Sequence, residues 1–214
     1  MPIHDGTSPW ALSEVDAINM SLATIGASPV NDVDTPSVDV SMAKNTLKET
    51  SLAVQSHGWY FNTEQDKVWT PDAGGLIPIP DQVMYVDNAY VTPKVAVDER
   101  QATIKIRGGN KRYLYDNYNK TYTFTSSITT KTVYAYDWNS LPQPARQYIA
   151  IRSARVFQDR SVGSEKHHSF TLRDEQYALS ELRRFESETA DHSIFDSYAV
   201  YRVVDRAYPY VTGL

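Results

Sequence analysis

The order of helical and β-rich segments along the chain is the feature that most limits its fold. Apolar residues recur every three or four positions near both ends, which predicts helices. Between them, from about Trp59 to Asp137, the sequence breaks into short β-rich runs separated by Pro, Gly and Asn. We therefore predict an α+β fold, in which the two chain ends build one helical bundle and an antiparallel β domain is inserted between them.

Four segments follow from this pattern. We predict a helical pair in residues 1–58, the inserted β domain in residues 59–139, and a second helical pair that completes the bundle in residues 140–190. Residues 191–214 are predicted to be an aromatic interaction tail. A chain of 214 residues is long enough to bury a substantial core in this arrangement.

The first helical pair carries recognisable end signals. Ser13 and Asp16 have the spacing of a capping box, and Gly26 stands where a helix C-cap is expected. A second helix is predicted between Pro36 and Gly58, which ends it. The predicted apolar faces of the two helices consist of Val15, Ile18, Leu22 and Ile25, and of Val40, Ala43, Leu47 and Val54.

The middle segment contains seven β-rich runs. They are WYFNT, LIPIP, VMYVDNAYV, ATIKI, RYLY, TYTFT and TVYAY. Gly108-Gly109-Asn110 lies between ATIKI and RYLY and is typical of a hairpin turn. A phosphate-binding loop is disfavoured there, because the spacing differs from G-x-x-x-x-G-K-[ST] and no helix is predicted to follow.

The second helical pair is predicted from Leu141 to Ser161, with Ser140 as the cap, and from Thr171 to Glu188. The first of these helices is apolar on more than one side, which indicates a position between other elements, either centrally in its own domain or between subunits. Arg152 and Phe157 are therefore candidate subunit-interface residues. Arg152 either reaches a carboxylate at the bundle edge or pairs with a neighbouring subunit. The apolar face of the last helix comprises Leu172, Leu179, Leu182 and Phe185.

The last segment, TADHSIFDSYAVYRVVD and the residues after it, is aromatic and too short to fold alone. An exposed apolar strip of this kind is typical of an association site, and aromatic side chains favour interfaces. We expect an intermolecular role, with packing against the bundle of the same chain as the alternative. The candidate partner-interface residues are Ile194, Phe195, Tyr198, Tyr201, Val203 and Val204.

Charge is divided unevenly along the chain. The net charge is −5, yet residues 1–93 carry 3 Lys/Arg against 12 Asp/Glu, whereas residues 94–131 carry 8 against 3. This division suggests that different faces meet different partners. Cysteine is absent, which excludes disulfides and thiolate metal sites. No signal peptide or membrane span is predicted, so we expect a soluble product of the cytosol.

The basic segment from Lys94 to Lys131 interleaves cations with tyrosines. Its candidate docking residues are Lys105, Arg107, Lys111 and Arg112. The first interpretation is alternating strands with charges on the wet face and aromatics buried. The other two are docking onto an acidic partner protein and contact with nucleic acid.

No motif assembles a catalytic, metal or cofactor site. His167 and His168 are adjacent, so their rings point apart and cannot chelate one ion as an i, i+4 pair can. No G-x-S-x-G elbow occurs, and nothing in the spacing of carboxylates such as Asp159 and Glu165 selects a glycosidase-like pair. We predict that the protein is not an enzyme and needs no cofactor, with a glycan hydrolase or a DNA-binding module as alternatives.

Four sequence blocks resemble a known family. They are LSEVDAINMSLATIGASPVN, VQSHGWYFNTE, ARQYIAIRSARVFQDRSVGSE and ETADHSIFDSYAVYRVVDR. Together they closely resemble the tail tubular protein A family, the head–tail adaptors of short-tailed bacteriophages. The resemblance spans most of Leu12 to Arg206 and is weak between about Lys94 and Thr132.

The resemblance implies a structural protein of the virion's short tail, made in the host cytoplasm. Members of this family form a dodecameric ring between the portal protein and the tail nozzle protein, tail tubular protein B. The ring extends the channel through which DNA passes without specific binding, and it helps to seat the tail fibre protein. The helical bundle would build the ring and meet the portal, whereas the β domain would face the nozzle and the fibres.

Overall fold

The computed structural model describes residues 11–91, 99–100, 102–107, 111–161 and 165–189. Within these residues the protein has four α-helices and six β-strands, which confirms the α+β prediction. The helices are α1 (Glu14–Thr24), α2 (Val38–Gln55), α3 (Gln143–Ser161) and α4 (Glu165–Thr189). The strands are β1 (Thr63–Trp69), β2 (Val83–Val91), β3 (Glu99–Arg100), β4 (Ala102–Arg107), β5 (Lys111–Asp116) and β6 (Ile128–Tyr134).

The predicted ends of α1 are confirmed. The Ser13 hydroxyl accepts a hydrogen bond from the Asp16 backbone N–H at 3.1 Å, and the Asp16 carboxylate accepts one from the Ser13 backbone N–H at 3.2 Å. These reciprocal bonds satisfy donors that a helix N-terminus leaves without partners. Gly26 follows the helix with a φ of +74°, a conformation that glycine adopts without the steric cost of a Cβ.

Helix α3 lies at the centre of the bundle. It packs against α1, α2 and α4, and Ile149 and Phe157 are among its fully buried side chains. Much of the apolar surface of this helix is therefore covered within one chain, although Ile151 stays half-buried. The hydrophobic cluster around it includes Ile18, Leu22, Val40, Leu47, Val54 and Leu182.

A buried arginine ties the start of the chain to the start of α3. Arg146 donates hydrogen bonds to the carbonyl oxygens of Leu12, Asn139 and Leu141, at 3.2, 2.6 and 2.9 Å. The Trp138 indole N–H also donates to the Leu12 carbonyl, at 2.9 Å. Burial lowers the pKa of the Arg146 guanidinium, but such a group stays charged in a folded protein.

Both helices of the second pair begin elsewhere than predicted. Ser140 does not cap α3 but ends a short 3₁₀ turn, and the helix starts at Gln143. The cause is Pro142, because the residue before a proline avoids the helical region, and Leu141 is extended with a ψ of 143°. Helix α4 starts at Glu165 rather than Thr171, since no Gly or Pro interrupts the intervening residues.

The strands form two antiparallel groups. The larger sheet has the order β1-β6-β2-β3, and β4 pairs with β5 so that Arg107 lies opposite Lys111. The intervening Gly108-Gly109-Asn110 lies outside the described residues. The predicted runs WYFNT, LIPIP and TYTFT are not strands. WYFNT contains a 3₁₀ turn at Tyr60–Asn62, the prolines of LIPIP lack the N–H that a ladder needs, and TYTFT forms one isolated bridge, at Thr121. LIPIP nevertheless pairs with the free edge of β5 through Ile77 and Ile79.

The β part has its own hydrophobic cluster, joined to the bundle by buried amides. The cluster includes Trp69, Ile77, Val83, Leu114, Phe124 and Ile128. At the end of α2, the Gln55 side chain exchanges two hydrogen bonds with the Tyr136 backbone, at 2.7 and 3.0 Å. The Asn62 amide donates to the carbonyls of Gln55 and Tyr134, at 2.8 and 2.7 Å. These bonds fix the sheet relative to the bundle.

Two leucines of α4 test how much the bundle depends on this helix. Leu182 is 0% exposed and Leu172 is 37% exposed. Leu182→Ala should lower the free energy of unfolding by about 2–5 kcal/mol, because it leaves a cavity beside α3. Leu172→Ala is the matched control and should cost about 1 kcal/mol or less. Urea unfolding followed by circular dichroism measures both, and equal losses would contradict this packing.

Candidate interaction surfaces

The structure describes Arg152 and Phe157 among the predicted interface residues, but not those of the tail. The tail residues Ile194, Phe195, Tyr198, Tyr201, Val203 and Val204 lie outside the described residues, so their role stays a prediction. Phe157 is 1% exposed and belongs to the core of the bundle itself. Its side chain is therefore covered before any second subunit is present.

Arg152 finds its partners on its own chain. Its guanidinium donates to the Tyr148 hydroxyl at 2.7 Å and lies 3.7 Å from the Glu175 carboxylate. The side chain is 37% exposed, so it runs along α3 and reaches a carboxylate on α4 at the edge of the bundle. A further pairing with a neighbouring subunit remains a prediction.

A neighbouring ion pair, which the sequence did not single out, joins α3 to α4. The Arg155 guanidinium donates to Glu175, and it also contacts Asp159 at 3.1 Å. Its hydrogen bond to Glu175 raises the pKa of Arg155. The i, i+4 spacing of Arg155 and Asp159 was a visible signal of this pairing. The contact with Glu175 was not visible, because it joins two separate helices.

The β4–β5 pair places lysines and tyrosines on the same face. Lys105 lies opposite Tyr113, and its ammonium is 3.4 Å from the centre of the Tyr115 ring. The opposite face carries Leu114, which is 0% exposed. The interpretation was therefore right that the lysines are in water, but wrong that the tyrosines are buried on the other face, because Tyr113 and Tyr115 are half-buried beside Lys105. The tyrosines accompany the lysines because aliphatic side chains fill the core beneath them.

Arg112 has a structural role. Its guanidinium donates to the carbonyl oxygens of Pro80, Asp81 and Val83. It therefore holds the loop before β2 against β5, instead of joining a cationic patch. Lys105 and Lys111 are exposed, and the side chain of Arg107 lies outside the part that is described. A docking role for Lys105, Arg107 and Lys111 stays a prediction.

Two concave surfaces stand out among the described residues. A groove of about 460 Å³ lies between α1, α3 and α4, and its lining includes Met20, Ala23, Ile151, Ala154, Asp174 and Tyr177. A second cavity of about 400 Å³ lies where the first two helices meet the segment after β6, and its lining includes Lys48, Leu52, Tyr136 and Trp138. The sequence predicted neither.

The described residues offer little for metal chemistry or membrane insertion. They contain no group of three His, Cys, Asp or Glu side chains placed to hold a metal ion. No helix in this part of the chain is long and apolar enough to cross a membrane.

The pKa of Tyr134 is raised by its surroundings. Its side chain is half-buried, and its hydroxyl donates a hydrogen bond to Glu64 at 3.0 Å; burial is the larger cause of the raised pKa and this hydrogen bond the second. The hydroxyl therefore stays protonated, and its hydrogen bond joins β6 to Glu64 of β1.

Comparison with known proteins defines the class. A family model described as tail tubular protein matches residues 15–192. The chain is also similar to tail tubular protein A of Klebsiella phage KP34, at 29% identity over 173 residues, which cover 80% of this chain and 86% of that relative. The match defines a structural protein of a bacteriophage tail. More particularly, the chain belongs to the tail tubular protein family, and its partners are other components of the tail.

Arg112 and Lys111 are adjacent cations with different predicted roles. Arg112→Ala should lower the free energy of unfolding by about 1–3 kcal/mol, because three carbonyl oxygens lose a charged donor. Lys111→Ala removes an exposed cation and should change it by no more than about 0.5 kcal/mol. Thermal or urea unfolding of both variants measures the difference. If Arg112→Ala left the free energy of unfolding unchanged, the three contacts of Arg112 would not be what holds the loop.

Proposed function

We propose that the protein is a head–tail adaptor, of which twelve copies form a ring between the portal protein and the tail nozzle protein. The ring extends the channel for DNA ejection and helps to seat the tail fibres. The observation that carries this proposal is the family match, which runs through all four helices and the β part. The proposed role needs no turnover reaction.

The physics of ring closure supports this role. A ring requires heterologous contacts, in which one face of a subunit meets a different face of its neighbour. The acidic first 93 residues and the basic residues 94–131 provide two unlike parts. Apolar side chains are also exposed on the outer face of α2, where Val38 is 75% and Met42 is 42% exposed. Such side chains suit burial against another subunit.

We place the helical bundle in the ring and against the portal, and the β part towards the nozzle and the fibres. The amides of Gln55 and Asn62 couple the two parts, so each could face a different partner without losing its orientation. The aromatic tail would reach along a neighbouring subunit or along the portal. This orientation rests on the family resemblance and on the separation of the two hydrophobic clusters.

Removing the tail tests the attachment. A chain ending at Glu188 retains both hydrophobic clusters and should fold, yet it should no longer attach to portal-containing particles. Each chain is mixed with purified portal, and the mass of the resulting complex is measured. The full chain should raise the mass of the portal by that of a ring of subunits. Circular dichroism of the shortened chain controls for folding. Normal attachment of the shortened chain would show that the tail does not hold the portal.

The lining of the channel provides a second test. Each Lys or Arg that pairs with phosphate strengthens the retention of DNA, so a channel for ejection should be acidic or neutral. We expect few unpaired basic side chains on the inner wall of the ring. A structure of the assembled ring measures this directly. Dense arginines in the lumen would contradict it, and salt-dependent duplex binding that requires Lys105 and Lys111 would favour a DNA-binding module.

A further inference from the structure

The groove between α1, α3 and α4 is apolar and open. Ala154 forms part of its floor and is 5% exposed, whereas Tyr177 stands at its side and is 70% exposed. Met20 and Ile151 are half-buried on the facing walls. An open apolar groove of this volume has the size and lining of a binding site. A free subunit with an uncovered groove would expose an apolar surface that is prone to association.

The chain supplies an apolar segment within reach of this groove. The sequence continues for 25 residues after Thr189, where α4 ends, and the tail residues Ile194 to Val204 belong to this part. Twelve residues separate Tyr177 from Thr189 along the helix, which is about 18 Å. The nine residues from Ala190 to Tyr198 span up to about 30 Å when extended. The aromatic residues can therefore reach the groove of their own subunit.

Attachment to the same chain favours this occupant over one from solution. A short tether holds the tail near the groove at a high effective concentration, which no free partner matches before assembly. The tail itself is apolar and aromatic, and it also needs cover in a free subunit. One contact would cover both surfaces.

We infer that the tail residues Ile194 to Val204 fold back along α4 and fill this groove in the free subunit. The groove and the tail then form a latch, and a partner that takes the tail uncovers the groove. This inference concerns the subunit before assembly and does not rest on the proposed ring. Failure to bind portal would leave it intact, and failure of the latch would leave the adaptor role intact.

Cross-linking in the full chain tests the latch. The protein has no cysteine, so introduced cysteines react without background. Ala23→Cys in the groove is combined with Tyr198→Cys in the tail. Ala53→Cys, at an exposed alanine of α2 outside the groove lining, is combined with the same tail cysteine as the control. Oxidation at low protein concentration should give an intrachain disulfide about tenfold faster for the groove pair.

The products separate the alternatives. An intrachain bond in a species of single-chain mass, mapped by peptide analysis, supports the latch. Disulfide-linked dimers from the groove pair alone would show that the tail occupies a neighbour's groove, and the inference would be wrong. Equal rates for the groove pair and the control pair would show that the tail does not favour the groove, and would overturn it equally.

A second variant makes the test independent of introduced thiols. Ala23→Lys places a charged side chain in the groove near the end of α1, where a cation suits the helix dipole. Chymotrypsin should then cleave after Phe195 and Tyr198 about tenfold faster than in the natural chain. Ala53→Lys should leave the rate unchanged. Equal cleavage in all three proteins, each with unchanged circular dichroism, would contradict the latch.

Discussion

The structure depends on the burial of α3 and on the arginine that begins it. Arg146 binds the carbonyl of Leu12 from the start of the chain and those of Asn139 and Leu141 from the segment after the sheet. Both ends of the bundle therefore meet at one charged group. Its loss would remove a donor from three carbonyls, of which Leu12 would keep the Trp138 indole N–H. The rest of α3 can then be enclosed by the other helices. The insertion of the β part is the consequence, since the chain must leave the bundle after α2 and return at α3.

The sequence predicted what is determined locally. The Ser13–Asp16 capping box, Gly26 and the apolar stripe of α2 each depend on residues within one or two turns, and all three are confirmed. The predicted start of α3 was wrong because Pro142 keeps Leu141 extended, so the helix begins only at Gln143 and Ser140 lies too early to cap it. The predicted start of α4 was wrong because polar residues follow the Gly-Ser pair at residues 163–164, and a polar stretch without Gly or Pro is compatible with a helix.

The sites could be predicted only where they are contiguous in the sequence. The aromatic tail and the basic segment were recognised from composition, yet composition did not show that Arg112 serves carbonyl oxygens or that Lys105 lies over Tyr115. The groove was invisible because its walls come from α1, α3 and α4, and more than 150 residues separate Ala23 from Tyr177. Only the packing of the bundle brings them together.

The buried amides between the two clusters fix the sheet relative to the bundle. Gln55 is 1% exposed and Asn62 is 0% exposed, and both are hydrogen-bonded across the junction. The Asn62 Oδ1 has no hydrogen-bond partner among the described residues, but every other polar atom of the two amides does. A different arrangement of sheet and bundle would break these buried bonds and is therefore penalised. The orientation of the sheet relative to the bundle is therefore specified more sharply than apolar packing alone would specify it. The proposed adaptor role would require such a fixed orientation, since an error in the angle would be repeated in every subunit of the proposed ring.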